Sequence, residues 1–229
     1  KRALAAFNTS NNRRVSAPVI PRAPPISGLS LNYSNTQALY LRGKLHSDAA
    51  KETFDSLFDK IVKGARLDTI RMFDLTSVKL ERKHITALAD SLSTTQTIVT
   101  AIFHNMNLGN NNVHTLVSAL KENTSVTNLD LSENKICGTG LGPISELIKT
   151  NSTIQELNLS GNTIDDNAVL TFGVSFKHNQ SLTNLNCSSC SLSAVGISLI
   201  SENIQVNDKI RRADFSKNLI SSSPIGALA

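Results

Sequence analysis

Cys187 and Cys190, separated by two residues, are the pair in this sequence whose spacing comes nearest to chemistry. A Cys-x-x-Cys unit can serve as a redox dithiol or as half of a zinc site. Zinc needs four ligands, and no second Cys pair or His pair stands at ligand spacing. The third thiol, Cys137, is remote in sequence, and an odd number of cysteines without a framework suits a reducing compartment. His46, His84, His104, His114 and His178 fall into no motif with an acid and a nucleophile, and no glycine-rich phosphate loop is present. The residues therefore predict no enzyme, no metal and no cofactor. Asn-x-Ser/Thr sequons stand at Asn8, Asn32, Asn123, Asn151, Asn158, Asn179 and Asn186. Asn123, Asn151 and Asn179 recur where a turn favours Asn followed by Ser or Thr, so the turn explains them better than a glycan does.

What positions these residues is a period. Val126-x-x-Leu129-x-Leu131-x-x-Asn134-x-Ile136 recurs 28 residues later as Ile154, Leu157, Leu159, Asn162 and Ile164. It recurs again as Leu182, Leu185, Cys187, Cys190, Leu192 and as Ile210, Ala213, Phe215, Asn218, Ile220. Upstream it reads Ile98, Ala101, Phe103, Met106, Leu108 and Ile70, Phe73, Leu75, Val78, Leu80. A second pattern follows each copy: Ile85/Leu88/Leu92, Val113/Leu116/Leu120, Leu141/Ile144/Ile148, Val169/Phe172/Phe176 and Ile197/Ile200/Ile204. The i, i+3, i+7 spacing is one face of a helix. Each unit is then a strand, a turn, a helix and a return, and stacking units buries a continuous core. Cys187 takes the place of Leu131 and Cys190 that of Asn134, so both cysteines are expected to pack in the core.

Successive side chains of a strand face opposite ways. With Leu129 and Leu131 inward, Asn128, Asp130 and Ser132 face out. Three outward columns follow: Met72, Thr100, Asn128, Glu156, Asn184, Arg212; Asp74, Ile102, Asp130, Asn158, Asn186, Asp214; and Thr76, His104, Ser132, Ser160, Ser188, Ser216. From these, Asp74, His104, Asn128, Asp130, Glu156, Asn158, Asn184, Asn186, Arg212 and Asp214 are the candidate partner-binding residues. They carry no cluster of aromatic anchors. Asn134, Asn162 and Asn218 form an inward polar column that can satisfy backbone groups left unpaired in the turns. Val78 and Met106 interrupt that column, so their own turns are expected to be less ordered or differently built.

Charge divides the 229 residues unevenly. Residues 1–44 carry seven basic groups and no acid, whereas the rest carry 16 basic and 18 acidic groups. The overall +5 thus belongs to the start of the chain, and the near-neutral repeats are unsuited to nucleic acid. Residues 1–35, with Pro18, Pro21, Pro24 and Pro25, read as an extended arm or linker. Arg13, Arg14 and Arg22 are its candidate partner-binding residues. Residues 36–69 read as an irregular capping unit: Leu39 and Leu41 on a strand, then a helix capped by Ser47 with Phe54, Leu57, Phe58 and Ile61 inward. The array is 70–229, and it reads as part of a longer protein. No apolar run of 18 residues or more suggests a membrane span.

A helix in every 28-residue copy resembles the ribonuclease-inhibitor-like subclass of leucine-rich repeats, over about residues 70–229. The resemblance implies an α/β solenoid, with a curved parallel sheet on the concave side and helices on the convex side. It implies a non-catalytic protein-binding module or scaffold in a multi-subunit complex, cytoplasmic and in a cytoskeletal or ciliary axonemal setting, without a small-molecule substrate. The family also holds small-GTPase activators of the Ran type and the ligand-sensing repeats of NOD-like immune receptors, which stand as alternatives.

Overall fold

Three residues of strand per repeat suffice to build the sheet, because each strand between the first and the last is held on both sides by its neighbours. The computed structural model describes residues 70–219, the strand backbone at 38–40, and Phe58. The strands are β1 (Ala38–Tyr40), β2 (Met72–Asp74), β3 (Thr100–Ile102), β4 (Asn128–Asp130), β5 (Glu156–Asn158), β6 (Asn184–Asn186) and β7 (Arg212–Asp214). They pair in sequence order as one parallel sheet. The helices are α1 (Arg82–Thr94), α2 (Gly109–Ala119), α3 (Gly138–Thr150), α4 (Asp166–Phe176) and α5 (Ala194–Gln205). This is the leucine-rich-repeat α/β solenoid expected from the period.

Register follows the repeat residue by residue. Leu129 pairs with Leu157, and Leu157 with Leu185. Leu75, Phe103, Leu131, Leu159 and Cys187 form the next core column and are all closed to solvent. Their N–H groups continue the ladder, as in Leu131 N–H to Asn158 O at 2.9 Å and Leu159 N–H to Asn186 O at 2.8 Å. Each helix buries the predicted stripe; α4 adds an edge-on pair, Phe172 and Phe176, with ring centroids 4.8 Å apart. β1 sets Leu39 beside Phe73, so the first unit keeps register although the two residues are 34 apart in sequence. Phe58 is helical, fully buried and edge-on to His84. The other residues of the capping unit and all of the arm, Arg13, Arg14 and Arg22 included, lie outside the described residues.

The inward Asn column serves the preceding repeat. Asn134 Oδ1 accepts from Met106 N–H (2.9 Å) and Leu108 N–H (3.3 Å), and its Nδ2 donates to Phe103 O (2.6 Å). Asn162 does the same for Asn134 and Ile136, and Asn218 for Cys190 and Leu192. One oxygen can receive two N–H groups because the residue between them, Asn107, Lys135 or Ser191, takes a left-handed φ of 57° to 59°. Lys79 and Thr163, whose turns would be served by Met106 and Cys190, keep negative φ. There the backbone closes itself, Val78 N–H on Leu75 O at 3.0 Å and Ile164 N–H on Cys190 O at 2.9 Å. The expectation for Val78 and Met106 is therefore corrected: the Met106 turn is regular, and the altered turns are those of Val78 and Asn162. A missing asparagine is felt one repeat upstream.

A second asparagine ladder holds the return from helix to strand. Asn151 Nδ2 donates to Leu120 O (2.8 Å) and Asn123 O (2.9 Å), while its Oδ1 accepts from Thr153 N–H (2.8 Å) and Ile154 N–H (2.9 Å). Asn123, Asn179 and Asn207 repeat the arrangement, and all four are buried. Three of the sequons thus lie inside the fold, where no glycan fits.

Candidate functional site

The concave columns carry two connected rows of side chains. In the first, the Glu156 carboxylate accepts from Asn128 Nδ2 on β4 and Asn184 Nδ2 on β6, both at 2.8 Å. Arg212 Nε on β7 donates to Asn184 Oδ1 at 3.0 Å, so the row crosses four strands. In the second, Asn158 Nδ2 donates to Asp130 Oδ2 at 3.0 Å. Asp130, Asn158, Asn186 and Asp214 each accept the N–H two residues on, locking their rotamers in an Asx turn. The repeat spacing creates these rows, because it puts equivalent residues on adjacent strands about 4.8 Å apart.

Asn128, Asp130, Glu156, Asn158, Asn184 and Asn186 are half-buried, and Arg212 and Asp214 are exposed. Neither Asp130 nor Glu156 has a cationic partner among the described residues. The face therefore presents carboxylates bonded to amides but not neutralised by cations. His104 Nδ1 bonds Ser132 Oγ at 2.8 Å, and Ser132 Oγ donates to Asp130. The serine proton points at the carboxylate and not at the imidazole, the reverse of the order that activates a nucleophile.

One candidate is displaced from the face. Asp74 is 0 % exposed. Its Oδ1 accepts from Thr76 N–H at 2.9 Å, so it keeps the Asx turn of its column, but it is closed to solvent and not a surface group. Ile102 beside it is 7 % exposed. Alternation along a strand tells which side a residue faces, not what lies over that side.

Cys187 and Cys190 are buried free thiols, and the Cys190 Sγ donates to Leu159 O at 3.1 Å in place of an asparagine amide. Their mutual hydrogen bond, together with burial, pushes the Cys187 thiol well up while the same bond lowers Cys190, and both sulfurs are closed to solvent and so to a reaction partner. Among the described residues no three His, Cys, Asp or Glu side chains gather as a metal set. Cys137 is different: it is exposed, and Asn110 Nδ2 donates to its Sγ at 2.8 Å, which lowers its pKa. A native-state thiol assay is expected to label Cys137 alone, at a pH below that of an ordinary free thiol, and all three cysteines in denaturant. Asn110→Ala should move that labelling profile to higher pH. Rapid labelling of a second native thiol would contradict the core position of the pair.

No family model matches the chain, and no curated protein matches it. Among solved structures it is similar to the actin-binding site 2 of leiomodin-1, with a TM-score of 0.54 at 17 % identity, over 66 % of this chain and 90 % of that one. It is also similar to the C-terminal domain of a tropomodulin from Caenorhabditis elegans, with a TM-score of 0.52 at 17 % identity, over 58 % of this chain and 82 % of that one. Likeness at this identity establishes the fold. No helix among the described residues is long and apolar enough to cross a membrane.

Proposed function

We propose that the chain is a non-catalytic protein-binding module of a cytoskeletal assembly, and that it grips its partner with the concave face of β4–β7. The observation carrying this reading is the pair of side-chain rows there: rotamers fixed by mutual hydrogen bonds, with Asp130 and Glu156 lacking cations. A surface ordered before contact loses less side-chain entropy on binding. A helix after each of β2 to β6, α1 to α5, supports the ribonuclease-inhibitor-like subclass. Actin is the first partner to test, because one structure of similar fold is described as an actin-binding site. Axonemal microtubule complexes are the second setting, and a cytoplasmic location goes with either.

The experiment is co-sedimentation with actin filaments and, separately, with microtubules. The chain is expected to pellet with one of them and to be released by Glu156→Lys with its thermal melt kept. Failure to pellet with both would overturn the cytoskeletal reading. Accelerated GTP hydrolysis by a small GTPase at catalytic amounts of the chain would replace it with an activator.

A further inference from the structure

Exposure changes along a single column of the concave face. Asp130, Asn158 and Asn186 are half-exposed, and Asp214 is exposed. Asp74 and Ile102, the same column on β2 and β3, are 0 % and 7 % exposed. Both of these strands have neighbours on either side, as β4 does. In this column the open part of the face therefore begins at β4. Further along, the uncovered face carries Asp130 and Glu156 without cations. The sequence supplies a complementary segment: residues 1–35 hold Lys1, Arg2, Arg13, Arg14 and Arg22 and no acid.

We propose that the concave face docks the chain's own basic arm, placing arginines toward Asp130 and Glu156, so that arm and partner compete for one surface. This rests on the concave face being the docking surface. Guanidinium suits the site, because it forms paired N–H bonds to a carboxylate and adjacent acceptors. Reach is sufficient. Residues 23–37 separate Arg22 from β1. Fully extended, they span roughly 50 Å. β1 to β5 is four strand spacings, roughly 19 Å. The attraction is between partly hydrated charges, so salt should weaken it: the screening length falls from about 10 Å at 0.1 M to about 3 Å at 1 M.

The test uses the whole chain. Cys137→Ser removes the exposed thiol and Ser16→Cys places a nitroxide on the arm, while Cys187 and Cys190 are buried and stay unlabelled. The amide signals of Asn128–Asp130 and Glu156–Asn158 are expected to broaden in low salt. They should recover in high salt and after Arg13→Glu, Arg14→Glu and Arg22→Glu together. Signals equal to those of the reduced label would overturn the proposal, as would broadening that survives charge reversal. Co-sedimentation of the charge-reversed chain separates this from the wider reading. If the arm fills the face in nine of ten molecules, its release should strengthen partner binding about tenfold. If neither protein pellets while the broadening persists, the cytoskeletal reading has failed and the arm has not.

Discussion

Leu131→Asp is expected to abolish the cooperative melt of the array, while Asp130→Ala, one residue away, leaves it standing. Leu131 is fully buried in the column of Leu75, Phe103, Leu159 and Cys187, with no polar side chain of that column to meet a carboxylate. An unpaired buried charge costs several kcal/mol, against a total stability on the order of 5–15 kcal/mol. The loss falls on the interfaces with both neighbouring repeats, which are where a solenoid keeps its stability. Asp130 is half-exposed, and its removal leaves a space open to solvent through which water can reach Asn158 Nδ2 and the N–H and Oγ of the otherwise buried Ser132. That should cost about 1 kcal/mol, a few degrees in Tm for a chain of this size. Circular dichroism melts of the two variants decide it. Similar curves would mean that the facing of β4 is misassigned.

Asn162→Ala should be nearly as damaging, although the residue is polar and sits in a turn. Its side chain satisfies Asn134 N–H at 2.9 Å, Ile136 N–H at 3.0 Å, Leu131 O at 3.1 Å and Leu159 O at 2.7 Å. A buried polar group left without a partner costs about 1–3 kcal/mol, so with some rehydration the expected loss is roughly 4 kcal/mol. Asn162→Cys should lose less, because Cys190 already fills this position and gives its S–H to the preceding repeat. Asn186→Ala on the concave face is the control, with a change within about 1 kcal/mol. Denaturant titration of the three variants gives the order. An Asn162→Ala midpoint no lower than that of Asn186→Ala would show that water replaces the ladder without loss.

The solenoid was legible because its period states both levels at once. A recurring Leu-x-Leu marks the strand and its inward side, and a recurring i, i+3, i+7 stripe marks the helix and its face. Leu129, Leu157 and Leu185 accordingly stand where the register puts them. The cysteine pair was legible for the same reason, since Cys187 and Cys190 occupy core columns. Three features were not. The direction in which Asn134 and Asn162 bond is invisible, because a period gives the column and not which neighbour is served. The second ladder was half-hidden: Asn123, Asn151 and Asn179 are followed two residues on by a hydroxyl, but Asn207 is followed by Lys209. The burial of Asp74 was the third, because strand alternation reports which side a residue faces and not how enclosed that side is.

Because both asparagine rows cross between repeats in the backward direction only, completion of the fold has a built-in polarity. A repeat emerging during synthesis has its strand and helix, yet its two corners stay unsealed until the following asparagines arrive roughly one period later. Trimming from the front removes a unit without unsealing the corners of what remains, whereas trimming from the back opens the corners of the last unit wherever an asparagine had closed them.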